Sequence, residues 1–220
     1  MKRNLSIVAA VIVIAALALW GYSAYRAHVT RSTIVAMVTD AAGRVKSALA
    51  QDASGFDAAA HAVEKDAAAL RKLDTSSMLP LADAADGYLV TVREILRRRA
   101  AMQSAGDRQV KELEALTQHV QSDRGRADWP QEAVRLRENL DRTFREYRIG
   151  TESYAALLET LPGAQAKMAG QVKSLPLADE KSLKEARAAA LDALARADQN
   201  IRRVTQLDAY RGTGRQKGSR

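Results

Sequence analysis

The 220-residue chain contains no cysteine, which excludes disulfides, thiolate metal sites, a cysteine nucleophile and a lipid-modified cysteine. Only 5% of its residues are aromatic and only four are proline, a composition that favours closely packed helices over a sandwich or barrel. The net charge of +8 favours contact with anionic surfaces such as lipid headgroups, but 34 basic against 26 acidic residues indicate mainly solvated faces of mixed sign. The sequence therefore predicts an all-α protein.

The chain begins with a long stretch that carries no charge between Arg3 and Arg26. Residues 5–25 would extend about 32 Å as a helix, which is enough to cross the roughly 30 Å hydrocarbon core of a bilayer. This predicts a short basic tail over residues 1–4 and a transmembrane signal-anchor helix over residues 5–25. The predicted membrane-spanning residues are Leu5, Ile7, Val8, Val11, Ile12, Val13, Ile14, Leu17, Leu19 and Trp20.

A cleaved signal peptide is the alternative to an anchor. Such peptides have an apolar region of roughly 7–15 residues, shorter than this stretch, although Gly21-Tyr22-Ser23 is a passable cleavage site. Trp20, Tyr22 and Tyr25 cluster at the far end, where amphipathic rings favour the headgroup layer. We therefore expect an uncleaved anchor.

Orientation follows from the charges on the two sides of the span. Lys2 and Arg3 stand against Arg26 and Arg31, which is nearly a tie. Because a short charged tail is hard to translocate, we expect a cytoplasmic N-terminus and an extracytoplasmic bulk domain. The expected location is a bacterial-type inner (plasma) membrane, crossed once.

Helical periodicity covers residues 26–211 and predicts one antiparallel, coiled-coil-like bundle of four to six helices. The first helix leaves the anchor and ends near Asp52, and Ser54 begins a capping box for the second, which ends around Asp74. Gly106 is a candidate interruption of the third helix, and Pro162 breaks or kinks a later one. The expected turns are residues 53–55, 76–80, 123–130 and 174–176.

The last helix has the strongest amphipathic pattern, with Ile201 on its buried stripe, and residues 212–220 are expected to form a disordered basic tail. One internal echo is present, because the sequence of residues 79–83 recurs at residues 175–179. It indicates either a duplicated helical hairpin or two independent helix starts that use Pro and Asp in the same way. Both interpretations stay open.

Groups able to perform chemistry are scattered. None of the histidines has a second histidine or carboxylate at the spacing of a zinc motif, and nothing around the carboxylate pairs indicates a shifted pKa. We therefore predict no catalytic, cofactor-binding or metal site, and no enzyme. The groups considered are His28, His61 and His119, with the pairs Asp83–Asp86 and Glu112–Glu114.

Two arginine clusters stand out. Consecutive helical residues point about 100° apart, so Arg97-Arg98-Arg99 cannot form one flat clamp, and a solvated face is favoured over an anion receptor. The second cluster alternates with acidic residues, which predicts pairing within one helix. Its members are Arg142, Arg145 and Arg148, with Asp141 and Glu146.

In outline, the inferred architecture resembles the periplasmic four-helix bundles of chemoreceptors and sensor kinases. No family motif or second apolar span accompanies it, so the resemblance implies neither ligand nor signalling role. We expect a scaffold or adaptor that contacts the lipid bilayer and a protein partner or a second copy, with no nucleic acid and no identifiable small-molecule ligand. The alternative is a small-molecule or lipid-sensing bundle that signals through a partner, with Tyr88, Tyr147 or Tyr154 facing a pocket.

Overall fold

The computed structural model describes the backbone of residues 2–50, 54–122 and 128–213, and the side chains in these ranges from Trp20 to Gln206. All regular secondary structure in these ranges is helical, which confirms the all-α prediction. The helices are α1 (Lys2–Leu49), α2 (Phe56–Leu70), α3 (Leu79–Gln121), α4 (Trp129–Ala169) and α5 (Glu180–Thr213).

Ion pairs between α2 and α3 show that these helices run antiparallel. Glu64, in the middle of α2, accepts a hydrogen bond from Arg97 of α3 at 2.9 Å. Arg71, just after α2, binds Asp86 near the start of α3 at 3.0 Å. The later residue of α2 therefore meets the earlier residue of α3, as a short connection requires.

The longest hairpin of the bundle is formed by α3 and α4. Arg108 of α3 binds Glu146 of α4 at 2.8 Å. At the tip, the rings of His119 and Trp129 stack with centroids 4.8 Å apart, and the Trp129 indole donates to the His119 carbonyl oxygen at 3.1 Å. The end of α3 and the start of α4 are thus held together by an aromatic pair that the sequence did not predict.

Buried apolar side chains form two clusters along the bundle. The larger cluster draws on all five helices, and it includes Val38, Val63, Leu89, Leu158 and Leu183. The smaller cluster draws only on α3, α4 and α5, because α1 and α2 do not extend to it. Its members are Leu116, Val120, Leu136, Leu140, Phe144 and Ile201. Ile201 is only 8% exposed, so the predicted buried stripe of α5 is confirmed.

Some predicted helix boundaries are wrong for local reasons. The N-cap residue of α2 is Gly55, not Ser54, and no side chain caps the helix. The backbone at Gly55 has φ 74°, a conformation that favours glycine. Gly106 does not interrupt α3, and α4 continues through Pro162. Leu161 beside that proline is fully buried, so packing outweighs the roughly 3 kcal/mol helix penalty of proline.

The connections agree with the predicted turns where the structure describes them. Residues 71–78 and 170–179 link helices; the second link contains the turn expected at 174–176, whereas of the turn expected at 76–80 only residues 76–78 lie in the first link, and Leu79 and Pro80 already belong to α3. The α1 and α2 helices end at Leu49 and Leu70, a few residues earlier than predicted. Residue 53 of the turn expected at 53–55, residues 123–127 of the turn expected at 123–130, and residues 214–220 of the tail lie outside the described residues, whereas Gly212 belongs to α5.

The repeated pentapeptide has a different local structure in its two copies. Leu79 begins α3, whereas residues 175–179 lie in the link before α5. Asp179 accepts hydrogen bonds from the Ser182 amide at 2.8 Å and from its hydroxyl at 2.7 Å, so it caps α5. Both copies therefore precede or begin a helix, and the question of duplication stays open.

The predicted membrane span lies almost wholly outside the described side chains. Of its named residues only Trp20 is described, and it is 72% exposed. A search of the described residues found no helix long and apolar enough to cross a bilayer. The span over residues 5–25 therefore stays a prediction.

Candidate functional site

The first two arginines of the α3 triplet lie in solvated ion pairs. Arg97 binds Glu64 of α2 at 2.9 Å, and Arg93 lies 4.0 Å from the same carboxylate. Arg98 binds Glu94 of its own helix, also at 2.9 Å. The charges of these pairs remain at least partly exposed, so they contribute little stability and agree with the predicted solvated face.

Arg99 is different, because its side chain enters the space between helices. The guanidinium carbon lies 5.4 Å from the ring centroid of Phe56 in α2 and 5.4 Å from that of Tyr154 in α4. Its Nη1 approaches the Met102 sulfur at 3.9 Å, and its buried Nε has no hydrogen-bond partner. None of the ion pairs in the described part of the chain involves Arg99.

A cavity of about 220 Å³ opens beside this guanidinium, and we call it the Arg99 cavity. It lies beside Leu49, the last residue of α1, and is lined by residues of α3, α4 and α5. Tyr147 and Tyr154 of α4 line it, and Arg196 of α5 lines it too while binding Asp192 at 3.2 Å. The other lining residues are Met102, Ala186, Ala189, Ala190 and Ala193.

Two of the three tyrosines proposed for a pocket therefore line one. Burial raises the pKa of Tyr154, and the positive charge of Arg99 opposes that increase. Tyr88 lies in the larger core cluster instead, where burial raises its pKa to about 12. The nearby Gln165 amide opposes this increase, but its geometry to the Tyr88 hydroxyl is too poor for a hydrogen bond, and it donates to the Ala178 carbonyl oxygen at 3.1 Å.

The histidines have structural surroundings. His61 lies 3.8 Å from Glu64 on an exposed surface, and His28 is exposed. His119 uses its Nε2 to hydrogen-bond the Trp129 carbonyl oxygen at 2.9 Å. Among the described residues, no group of three His, Asp or Glu side chains is arranged to hold a metal ion.

The predicted carboxylate pairs do not converge on a reactive centre. Asp86 is used by the ion pair to Arg71, while Asp83 and Glu114 are exposed and Glu112 is half-buried. Among the described residues, none of these four carboxylates belongs to a cluster of three or more acidic or histidine side chains that could hold a metal ion. Their positions on helix surfaces fit the solvated faces expected from the sequence.

The pairing expected within α4 is wrong for Arg148 and Glu146, whose partners lie on flanking helices, whereas Arg145 donates to the Asp141 carbonyl oxygen within α4 at 3.3 Å. Arg148 lies 3.8 Å from Asp198 of α5 and 5.0 Å from the Phe144 ring centroid. Glu146 accepts from Arg108 of α3. The residues for which pairing within the helix was predicted are Arg142, Arg145 and Arg148 with Asp141 and Glu146.

Comparisons with protein-family models, with curated proteins and with solved structures find no match for this chain. The candidate site is therefore defined by its own geometry. Its distinguishing feature is an arginine that makes cation–π contacts with two aromatic rings, has no carboxylate partner in the described residues and borders a cavity.

Proposed function

We propose that the protein is a single-pass, membrane-anchored helical bundle that acts without catalysis, through protein contacts at the cell envelope. The observation that carries this proposal is the continuity of α1. One helix from Lys2 to Leu49 contains the apolar stretch and also supplies Ile34, Val38 and Val45 to the larger core cluster. A membrane-bound N-terminal segment would thus be joined to the bundle core without a flexible linker.

Side chains at the base of the bundle support a position at a membrane surface. Trp20, Tyr22 and Tyr25 are all strongly exposed, and their spacing distributes the rings around the helix. The link after α2 lies beside this segment and brings Lys72 close to Arg26 across a shared cleft. Aromatic rings together with basic side chains are typical of the headgroup layer.

The opposite end of the bundle suits protein contacts. There α3 and α4 extend past the ends of α1 and α2 and are packed only against α5. Val134, in this distal part of α4, and Ile149, where α4 passes the level of the α2 start, are exposed large apolar residues, and Ile149 is 62% exposed. We propose that this part of the α3–α4 hairpin meets the partner, with the N-terminus cytoplasmic and the bundle outside a bacterial-type inner membrane.

Site-specific photocrosslinking tests the protein-contact proposal. A photoreactive amino acid at Ile149 in the full membrane-bound chain should give a discrete protein adduct. The same group at Ala166, which is exposed near the base of the same helix, is the matched control and should give none. Absence of an adduct at both Ile149 and Val134, or equal adducts at Ala166, would contradict a contact through the hairpin.

One observation favours a second candidate function, an extracytoplasmic small-molecule or lipid-sensing bundle that signals through a partner protein. The Arg99 cavity lies between helices and presents Tyr147 and Tyr154, the arrangement that such a function requires. A ligand there would contact α3, α4 and α5 together. Ligand binding would therefore change the relative positions of these helices, and a partner protein bound at the hairpin would detect that change.

A further inference from the structure

We propose that the Arg99 cavity binds a small organic carboxylate. The proposal deepens the second candidate function by naming its ligand class, and it rests on that function but not on the membrane anchor. Three features carry it: the unpaired charge of Arg99, the open edge of its guanidinium, and the apolar walls beside it.

The charge of Arg99 lacks an anionic partner in the described residues. A partly buried charge without one is unfavourable, because it loses hydration that no counter-ion replaces. Cation–π contacts with Phe56 and Tyr154 offset part of this loss, because the face of an aromatic ring carries partial negative charge. An anion supplied from outside the chain would complete the compensation.

The arrangement also selects how the anion binds. The guanidinium carbon lies 5.4 Å from two ring centroids, and its N–H groups are the donors with which it can bind an anion. Of the five N–H donors of arginine, the described contacts use one, weakly, on the Met102 sulfur at 3.9 Å. A carboxylate accepts two parallel hydrogen bonds from such N–H groups.

The walls of the cavity indicate a ligand with an apolar body. Leu49, Met102 and the alanines of α5 form an apolar part of the lining, and none of the described residues that line the space is acidic. Its volume of about 220 Å³ exceeds the roughly 150 Å³ of an engineered cavity in another protein that admits benzene. Arg196 binds Asp192 at the surface, so it adds charge at the entrance rather than inside.

Benzoate is the probe for the test, and the protein is the full chain in detergent. Titration calorimetry should detect benzoate binding to the unmodified chain and to Arg98→Gln, which removes a neighbouring surface charge. Arg99→Gln should weaken binding by about tenfold or more, the loss expected for a charge-assisted hydrogen-bonded pair. Inorganic phosphate at equal ionic strength should bind much more weakly than benzoate.

A second pair of variants keeps Arg99 in place. These variants test whether benzoate binds in the Arg99 cavity even if Arg99→Gln does not fold. Ala193→Leu fills the cavity and should also weaken benzoate binding about tenfold, whereas Ala195→Leu on the exposed side of α5 should not. No benzoate binding, or equal binding by both leucine variants, would overturn the proposal. If only phosphate binds, and binding requires Arg99, the carboxylate ligand class is wrong but the small-molecule-sensing function stands. If neither anion binds, the carboxylate proposal and the sensing function are both contradicted.

Discussion

Gly150 of α4 lies close to the backbone of α3, and its replacement by alanine gives a sharp test of that packing. An ideal Cβ at Gly150 would lie 3.3 Å from the Met102 Cα and 3.5 Å from its backbone nitrogen. The obstructing atoms belong to the middle of a helix, so they yield only if α3 and α4 move apart. Gly87, in the first part of α3, is exposed and has no atom within 4 Å of the equivalent Cβ position.

Two opposing effects set the magnitude. Alanine is favoured over glycine inside a helix by about 0.8–1 kcal/mol, and Gly87→Ala should gain most of this. Gly150→Ala should gain the same amount but lose about 1–3 kcal/mol through overpacking. The free energies of unfolding of the two variants should therefore differ by about 1–3 kcal/mol, with Gly150→Ala less stable.

Urea denaturation followed by circular dichroism measures this difference, with all variants in the same detergent. The comparison is more informative than either variant alone, because both share the change in helix propensity. If Gly150→Ala stabilised the protein as much as Gly87→Ala does, α3 and α4 would not lie as close as the structure places them.

In urea titrations, Ile201→Ala should lower the free energy of unfolding by about 2–5 kcal/mol, and Arg202→Ala by no more than about 0.5 kcal/mol. Equal small effects would show that α5 does not pack in the core. Because the folded pKa of Tyr88 is raised to about 12, its contribution is intact below about pH 10 and falls by up to about 3 kcal/mol as the pH rises toward 12. Tyr88→Phe should reduce this alkaline decline in melting temperature, leaving the part that comes from Tyr154, and an unchanged decline would refute the assignment. Hydrogen bonds from Ser182 hold the pKa of Asp179 below its usual value, so its stabilisation is present above about pH 4 and lost on further acidification. Asp179→Ala should therefore melt earlier than the unmodified chain at neutral pH but not in strong acid, and a pH-independent difference would contradict the cap.

Periodicity was sufficient to predict the helices because each one buries a continuous stripe. Ile201 lies at the spacing that brings it into the smaller cluster with Leu140 and Phe144, so its burial followed from the pattern alone. Propensity failed where packing outweighs it, as at Pro162, which lies inside α4 next to the buried Leu161.

The sequence was sufficient to propose Tyr147 and Tyr154 for a pocket, but it could not identify Arg99 as the arginine beside them. Arg97, Arg98 and Arg99 are equivalent in composition, and only the positions of the neighbouring helices direct one of them between Phe56 and Tyr154. The cavity depends on where α1 ends relative to α3 and α5, a tertiary relation that one-dimensional spacing does not contain. For the same reason the partner of Arg148 was mispredicted, since Asp198 is remote in the sequence.

Cysteine accessibility tests the membrane-anchored arrangement most directly, because the chain has no native cysteine to compete with an introduced one. Single cysteines at Lys2, Val13 and Ser32 of the full chain are reacted with a membrane-impermeant maleimide, first on intact spheroplasts and then after lysis and after detergent. We expect Ser32→Cys to react from outside, Lys2→Cys only after lysis, and Val13→Cys only in detergent. Reaction of Val13→Cys as fast as Ser32→Cys in intact spheroplasts, or recovery of the chain without detergent, would contradict the anchor.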